Sequence, residues 1–185
     1  VHHGNGTQQI LESDPTVLYV SVHQFPFYPG TGDADEVGLA DGRGFTVNVP
    51  LEVGAGNADY EVVFREVVLP VLRAFNPGLI IVSAGFDAHE RDPLAGMRLT
   101  TGAFAAMTAD LRDVAEACCG GRIVVLTEGG YDLKALMESL QAVVDVLSPD
   151  VPVQAAWPVA SSDAPSKGRA AVERVRTVQR AYWPL

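Results

Sequence analysis

The chain has 185 residues, two cysteines, a formal charge of −10, and 48% hydrophobic and 19% charged residues. That composition suits one globular domain and excludes a disordered chain or a disulfide scaffold; no apolar run reaches the roughly 18–20 residues that cross a bilayer. The acidic balance argues against sequence-independent binding to nucleic acid, whose phosphates attract basic side chains.

The chain opens on VHHGNG, with neither an initiator Met nor the basic-then-apolar pattern of a secretory signal. This opening is the one expected of the C-terminal part of a longer protein. Asp14-Pro15 then bounds a short β-branched strand at 16–22 (TVLYVSV). Pro29, Gly30, Gly32, Gly38, Gly42 and Gly44 make 29–44 a long loop of the kind that carries function, and 45–49 reads as another strand. Asn57 or Asp59 caps a predicted helix over 59–75, with Pro70 as a kink. The apolar run LIIVS at 79–83 predicts a parallel strand buried on both faces. A helix over 101–118, capped by Thr100 or Thr101, ends at Cys118 and Cys119. As neighbours these two cysteines cannot build a disulfide framework, which points to a reducing compartment, the cytoplasm. A buried strand at 122–127 (RIVVLT), a helix over 132–147, a Pro/Ala/Ser-rich connection at 148–165 and a terminal helix over 166–181 complete a single domain. The strand–helix alternation specifies an α/β fold with a parallel sheet.

In such a sheet, ligands gather beyond the carboxyl ends of the strands. Asp87 follows LIIVSAGF, Glu128-Gly129-Gly130-Tyr131 follows RIVVLT, and Ser21-Val22-His23 closes the first strand, while His2 and His3 stand in the opening loop. A carboxylate, an imidazole and a phenol meeting on one edge would form a metal site with a polarising hydroxyl. By spacing alone, an Asp after a strand serves equally as a turn or cap residue, and a His-His pair equally as a structural one.

The motifs VHHGNGTQ, FYPGTGD, SAGFDAHERDPLAG and EGGYD, in this order over residues 1–147, resemble the zinc-dependent histone deacetylase superfamily. This group includes the histone deacetylases, the bacterial acetylpolyamine amidohydrolases and the acetoin-utilisation-type proteins. HHGNGTQ is closer to the class II and bacterial branch. The resemblance implies the arginase–deacetylase fold, a three-layer α/β/α parallel sheet of which this chain supplies the C-terminal portion. It also implies a zinc ion held by an Asp-x-His pair and a later Asp. His2 matches that histidine and Asp87 the later aspartate; the first aspartate would immediately precede Val1. Tyr131 matches the tyrosine that polarises the substrate carbonyl. Gly129 and Gly130 match the glycines beside the substrate channel, and Tyr28 stands in the channel wall where the family usually places Phe. Ser21 and Val22, with the His2 carbonyl, match a potassium site. A second monovalent site would use backbone oxygens near Leu11, Asp14, Val17 and Phe45. The family's general base, in a His-His dyad, lies upstream of the matched segment; the pair at residues 2–3 belongs to the metal motif.

The implied activity is hydrolysis of an acetylated amine, acetyl-lysine in proteins or an acetylpolyamine, with this segment inactive by itself. A non-catalytic deacetylase-like scaffold or partner-binding module is the alternative. A binuclear manganese hydrolase of the arginase type would need more carboxylates around Asp87. Neither a nucleic acid nor a membrane is an expected partner. The remaining candidates have plainer readings. His3, His23 and His89 are structural, Asp92 before Pro93 is a turn-former, and Asp33 and Asp35 are solvated turn residues. Trp157 and Trp183 are packing anchors, and the two cysteines are buried small apolar residues.

Overall fold

A computed structural model of the chain describes residues 1–148, 155–158 and 164–185. The β-branched runs form two parallel pairs. Strand β1 (Tyr19–Gln24) lies beside β2 (Thr46–Leu51), in register from Tyr19↔Thr46 to Gln24↔Leu51. Strand β3 (Ile80–Ala84) lies beside β4 (Ile123–Thr127), from Ile80↔Ile123 to Ala84↔Thr127. Among the described residues the two pairs remain separate sheets. The first strand begins later than its composition predicts because Thr16 is engaged in a turn. Its N–H and hydroxyl both donate to Asp14 Oδ1, at 2.8 and 2.6 Å, so the ladder starts only beyond it.

Helix α1 (Asn5–Leu11) occupies the opening segment that the sequence reading leaves as loop. Its seven residues have no side-chain cap, and one inward residue, Gln8, carries most of its attachment. The predicted 59–75 helix is three pieces: α2 (Asn57–Val63), a widened π turn (Phe64–Val68) and α3 (Leu69–Phe75). Pro70 accounts for the break, since it has no N–H to continue the α-helical ladder and its ring crowds the preceding turn. Val63, Val67 and Val71 still point one way and are fully buried. The cap is Gly56, whose N–H donates to Asp59 Oδ2 at 3.0 Å. Asn57 instead exchanges two hydrogen bonds with Thr100, both 3.0 Å, which tie α2 to the start of α4 (Thr101–Cys119).

Helix α4 runs along α5 (Leu133–Leu147), whose N-cap Asp132 accepts the Ala135 N–H at 2.7 Å. Helix α6 (Ser166–Gln179) packs on α2 and β2. Its buried Gln179 donates to the Thr46 carbonyl at 2.8 Å, and beyond it the Trp183 indole donates to the Gly44 carbonyl at 2.8 Å. The Trp157 indole reaches Asp110 at 3.0 Å, so both tryptophans anchor packing as expected. Cys119 is buried, Cys118 half-buried, and both are free. Most of the predicted 148–165 connection lies outside the described residues.

The expected burial fails for both β3 and β4. Strand β3 is buried on one face only, with Ile81 62% exposed, and no residue of β4 is buried: Val124, the partner of Ile81, and Leu126 are exposed. An apolar run shows that both faces avoid water, but a second face is covered only if an element lies over it. No described element does so here. No helix among the described residues is long and apolar enough to cross a membrane.

Candidate active site

The parallel register at Ala84↔Thr127 brings the turns after β3 and β4 to the same edge. There the Phe86 N–H donates to the Gly129 carbonyl at 2.7 Å. Phe86 is buried under the turn, which aims Asp87 inward, where it is 1% exposed. The opening segment reaches the same place because the Gln24 N–H, at the end of β1, donates to the Val1 carbonyl at 3.0 Å. His2 Nδ1 consequently lies 3.0 Å from Asp87 Oδ2, and the Val1 backbone nitrogen lies 2.6 Å from Asp87 Oδ1. Gly129 sits directly against the same carboxylate, and a methyl group there would overlap Oδ2. The imidazole and carboxylate singled out in the sequence therefore converge.

The aromatic neighbours follow from the loop after β1. Phe27 stacks on His2 with ring centroids 5.3 Å apart, and Tyr28 meets it edge-on at 6.1 Å. Tyr28 is 76% exposed. Tyr131 is 52% exposed, two residues beyond Gly129, and among the described residues its hydroxyl makes no hydrogen bond to His2 or Asp87. Its backbone is fixed, however: the Tyr131 N–H donates to Asp92 Oδ2 at 2.8 Å, while Asp92 Oδ1 accepts the Leu94 N–H at 2.9 Å. Asp92 is thus more than a turn-former. It is 7% exposed and ties the turn after β3 to the tyrosine after β4. Asp33 is likewise not simply solvated, because one Arg174 guanidinium nitrogen donates to both of its oxygens at 2.6 and 2.7 Å.

Behind His2 lies a buried polar layer that the sequence reading missed. It contains His3, Gln8, His23 and Asn48, with Glu36 at its rim. His23 donates Nε2–H to the Gly32 carbonyl at 2.9 Å, so Nδ1 must accept the Ser21 hydroxyl at 3.0 Å. At the second expected monovalent site, the Leu11, Asp14 and Phe45 carbonyls each already accept a backbone N–H. His89 is buried and structural, its Nδ1 accepting the Arg91 N–H at 3.1 Å.

Burial, followed by the neighbouring His3, pushes the His23 imidazole down from 6.5 to about 4. Burial alone would raise the Glu36 carboxyl, but hydrogen bonds from Gln8, Gly32 and Asp33 hold it below its ordinary value. The His23 shift fixes a sign. As pH falls below 6.5 the unfolded chain takes up a proton that the folded chain refuses, so stability is full above 6.5 and declines toward 4. The whole decline is roughly 3 kcal/mol. A urea midpoint that drops between pH 7 and pH 5, above the range where carboxylates titrate, is the expected result. A flat profile across that interval would contradict it.

An imidazole nitrogen and a carboxylate oxygen are both zinc-ligand types, and at 3.0 Å from each other His2 Nδ1 and Asp87 Oδ2 could hold one ion together. Among the described residues, no group of three or more His, Cys, Asp or Glu side chains gathers to complete a set.

Comparison with known proteins identifies the family. A family model described as the histone deacetylase domain matches residues 1–147. The chain belongs to the histone deacetylase family, and its fold is the arginase–deacetylase α/β fold. It is 44% identical to histone deacetylase 15 of Arabidopsis thaliana over 188 residues, covering 100% of this chain and 33% of that protein. It is 48% identical to the histone deacetylase-like amidohydrolase of Pseudomonas aeruginosa over 151 residues, covering 80% and 39%. The crystal structure of the HDA15 HD domain superposes with a TM-score of 0.86 at 42% identity, covering all of this chain and 49% of that one. The histone deacetylase Clr3 superposes at 0.89 with 37% identity, over 100% and 31%. The chain thus spans about a third of the length of these curated relatives.

Proposed function

We propose that the chain is the part of a zinc-dependent deacetylase that carries one histidine ligand, one aspartate ligand and the oxyanion-stabilising tyrosine, acting on acetyl-lysine or an acetylated polyamine. The convergence of His2 Nδ1 and Asp87 Oδ2 at 3.0 Å carries this reading. Zinc bound there would polarise the amide carbonyl and lower the pKa of a water molecule. The other roles belong to this chain's own residues. Gly129 lets the backbone lie directly against the Asp87 carboxylate, Gly130 lets it pack against Phe86 and Leu136, and Phe27 and Tyr28 flank the approach to His2. Tyr131 offers a phenolic hydrogen bond to the oxygen on which negative charge develops, a contribution of about 3–4 kcal/mol. Asp92 holds the backbone from which that phenol projects. Ser21, Val22 and the His2 carbonyl are assigned a potassium ion that would steady the metal loop.

The four histidines include no dyad besides His2-His3, so the 185 residues alone are expected to bind zinc weakly and show background turnover on an acetyl-lysine peptide with added zinc. Robust, chelator-sensitive turnover by this chain would contradict that. The activity itself is tested by a chimera in which the chain replaces the matching segment of the Pseudomonas aeruginosa amidohydrolase. The chimera should deacetylate in a chelator-sensitive way, and Tyr131→Phe within it should lower kcat about 100- to 1,000-fold. A folded but inactive chimera would favour the non-catalytic scaffold.

A further inference from the structure

The polar layer behind His2 has a defined direction. Glu36 is its origin: a carboxylate only accepts, and it takes the Gly32 and Asp33 N–H groups on Oε1 at 2.8 and 3.1 Å. On Oε2 it takes Gln8 Nε2 at 2.7 Å. That contact fixes the Gln8 amide with its nitrogen toward Glu36 and its oxygen toward the interior. Gln8 Oε1 then faces His3 Nε2 and Asn48 Nδ2, each at 2.8 Å, and must accept from both. His3 consequently carries its hydrogen on Nε2, and when neutral its Nδ1 accepts the Thr31 hydroxyl at 2.8 Å. Each polarity follows from the one before, starting at a single carboxylate 28 residues beyond Gln8.

We propose that Glu36, acting through Gln8 and His3, is a positioning residue that locks the loop carrying His2 in its metal-binding conformation. This rests on the reading of His2 and Asp87 as zinc ligands. The relay grips the residue next to His2 from both ring nitrogens. It also joins three segments, α1, β2 and the glycine loop, that have no covalent reason to stay together. Asn48 adds weight: it is fully buried, donates to Gln8 and to the Glu36 carbonyl, and leaves Oδ1 without a partner. A reversed Gln8 amide would therefore offer Asn48 Oδ1 an alternative donor and hold the layer in the wrong polarity.

Glu36→Gln produces that reversal. The amide introduced at position 36 must turn its oxygen to the two backbone N–H groups, so its nitrogen faces Gln8 Nε2 and forces the Gln8 amide over, which drives the His3 hydrogen to Nδ1. The reciprocal double variant, Gln8→Glu with Glu36→Gln, restores every donor to an acceptor with the charge moved one link inward. The test is a chelator-competition titration with zinc alone on the Pseudomonas aeruginosa chimera carrying the unaltered chain or either variant, with the His3 tautomer read from its imidazole nitrogen shifts. Glu36→Gln should weaken zinc binding about 10-fold or more and switch the tautomer, and the double variant should recover both. Wild-type affinity in Glu36→Gln, or a folded double variant that still binds poorly, would overturn the proposal while leaving the zinc reading intact. Should Glu36→Gln fail to fold, the double variant decides alone, because all its polar partners are satisfied. No zinc binding at His2 and Asp87 in the chimera carrying the unaltered chain would instead bring down the zinc reading, and this proposal with it.

Discussion

Replacing Asp87 with alanine is expected to cost about 1–3 kcal/mol of stability and to abolish zinc binding. The carboxylate is 1% exposed and lies 2.6 Å from the Val1 backbone nitrogen and 3.0 Å from His2 Nδ1. Removing it leaves the buried donors that face it without an acceptor. Asp87→Asn separates the two roles. Its amide oxygen can still accept from the Val1 backbone nitrogen, so much of the fold should persist, but an amide is a poor zinc ligand and affinity should fall as far as in the alanine variant. Urea denaturation and a zinc competition titration on both variants measure the two effects. Equal zinc affinity in wild type and Asp87→Asn would remove Asp87 from the ligand set.

Gly32→Ala should be comparably damaging for a different reason. Gly32 has φ +93°, and a Cβ there would lie 2.5 Å from His23 Nε2 and 2.7 Å from the His3 ring. Backbone strain at such a φ is about 1–3 kcal/mol, and overpacking against fixed rings adds about 1–3 kcal/mol. The two rings cannot retreat, since both are held through their ring nitrogens. Gly30→Ala is the control: φ is +90°, yet nothing lies within 4 Å of the new methyl, so only the backbone part should appear. A Gly32→Ala midpoint equal to that of Gly30→Ala would show that the histidine layer yields easily.

Much of this arrangement was legible in the residues. The start of α4 after Thr100 was legible, although the Thr100 side chain makes no cap bond, and α5 starts one residue later than expected because Asp132 is its cap. Asp87 and His2 came from motifs whose meeting the strand register then explains. What the residues did not reveal was long-range. Period-2 patterns mark strands but carry no information on partners, so the separation of β1–β2 from β3–β4 was invisible, as was the uncovered face at Ile81. Asp92 was read correctly as a turn residue, since one oxygen does bind Leu94; the other binds Tyr131, 39 residues away. The buried layer left one trace, Asn48 in the otherwise apolar strand TVNVPL. A polar amide at a fully buried strand position implies partners, but which partners only the fold could say.

The central claim is that His2 and Asp87 hold one metal ion between them. Anomalous diffraction at the zinc edge from zinc-soaked crystals of the chain tests it most directly. A peak bonded to both His2 Nδ1 and an Asp87 carboxylate oxygen is the predicted result. Zinc bound elsewhere with that pair left bare, or the two side chains found apart, would contradict it.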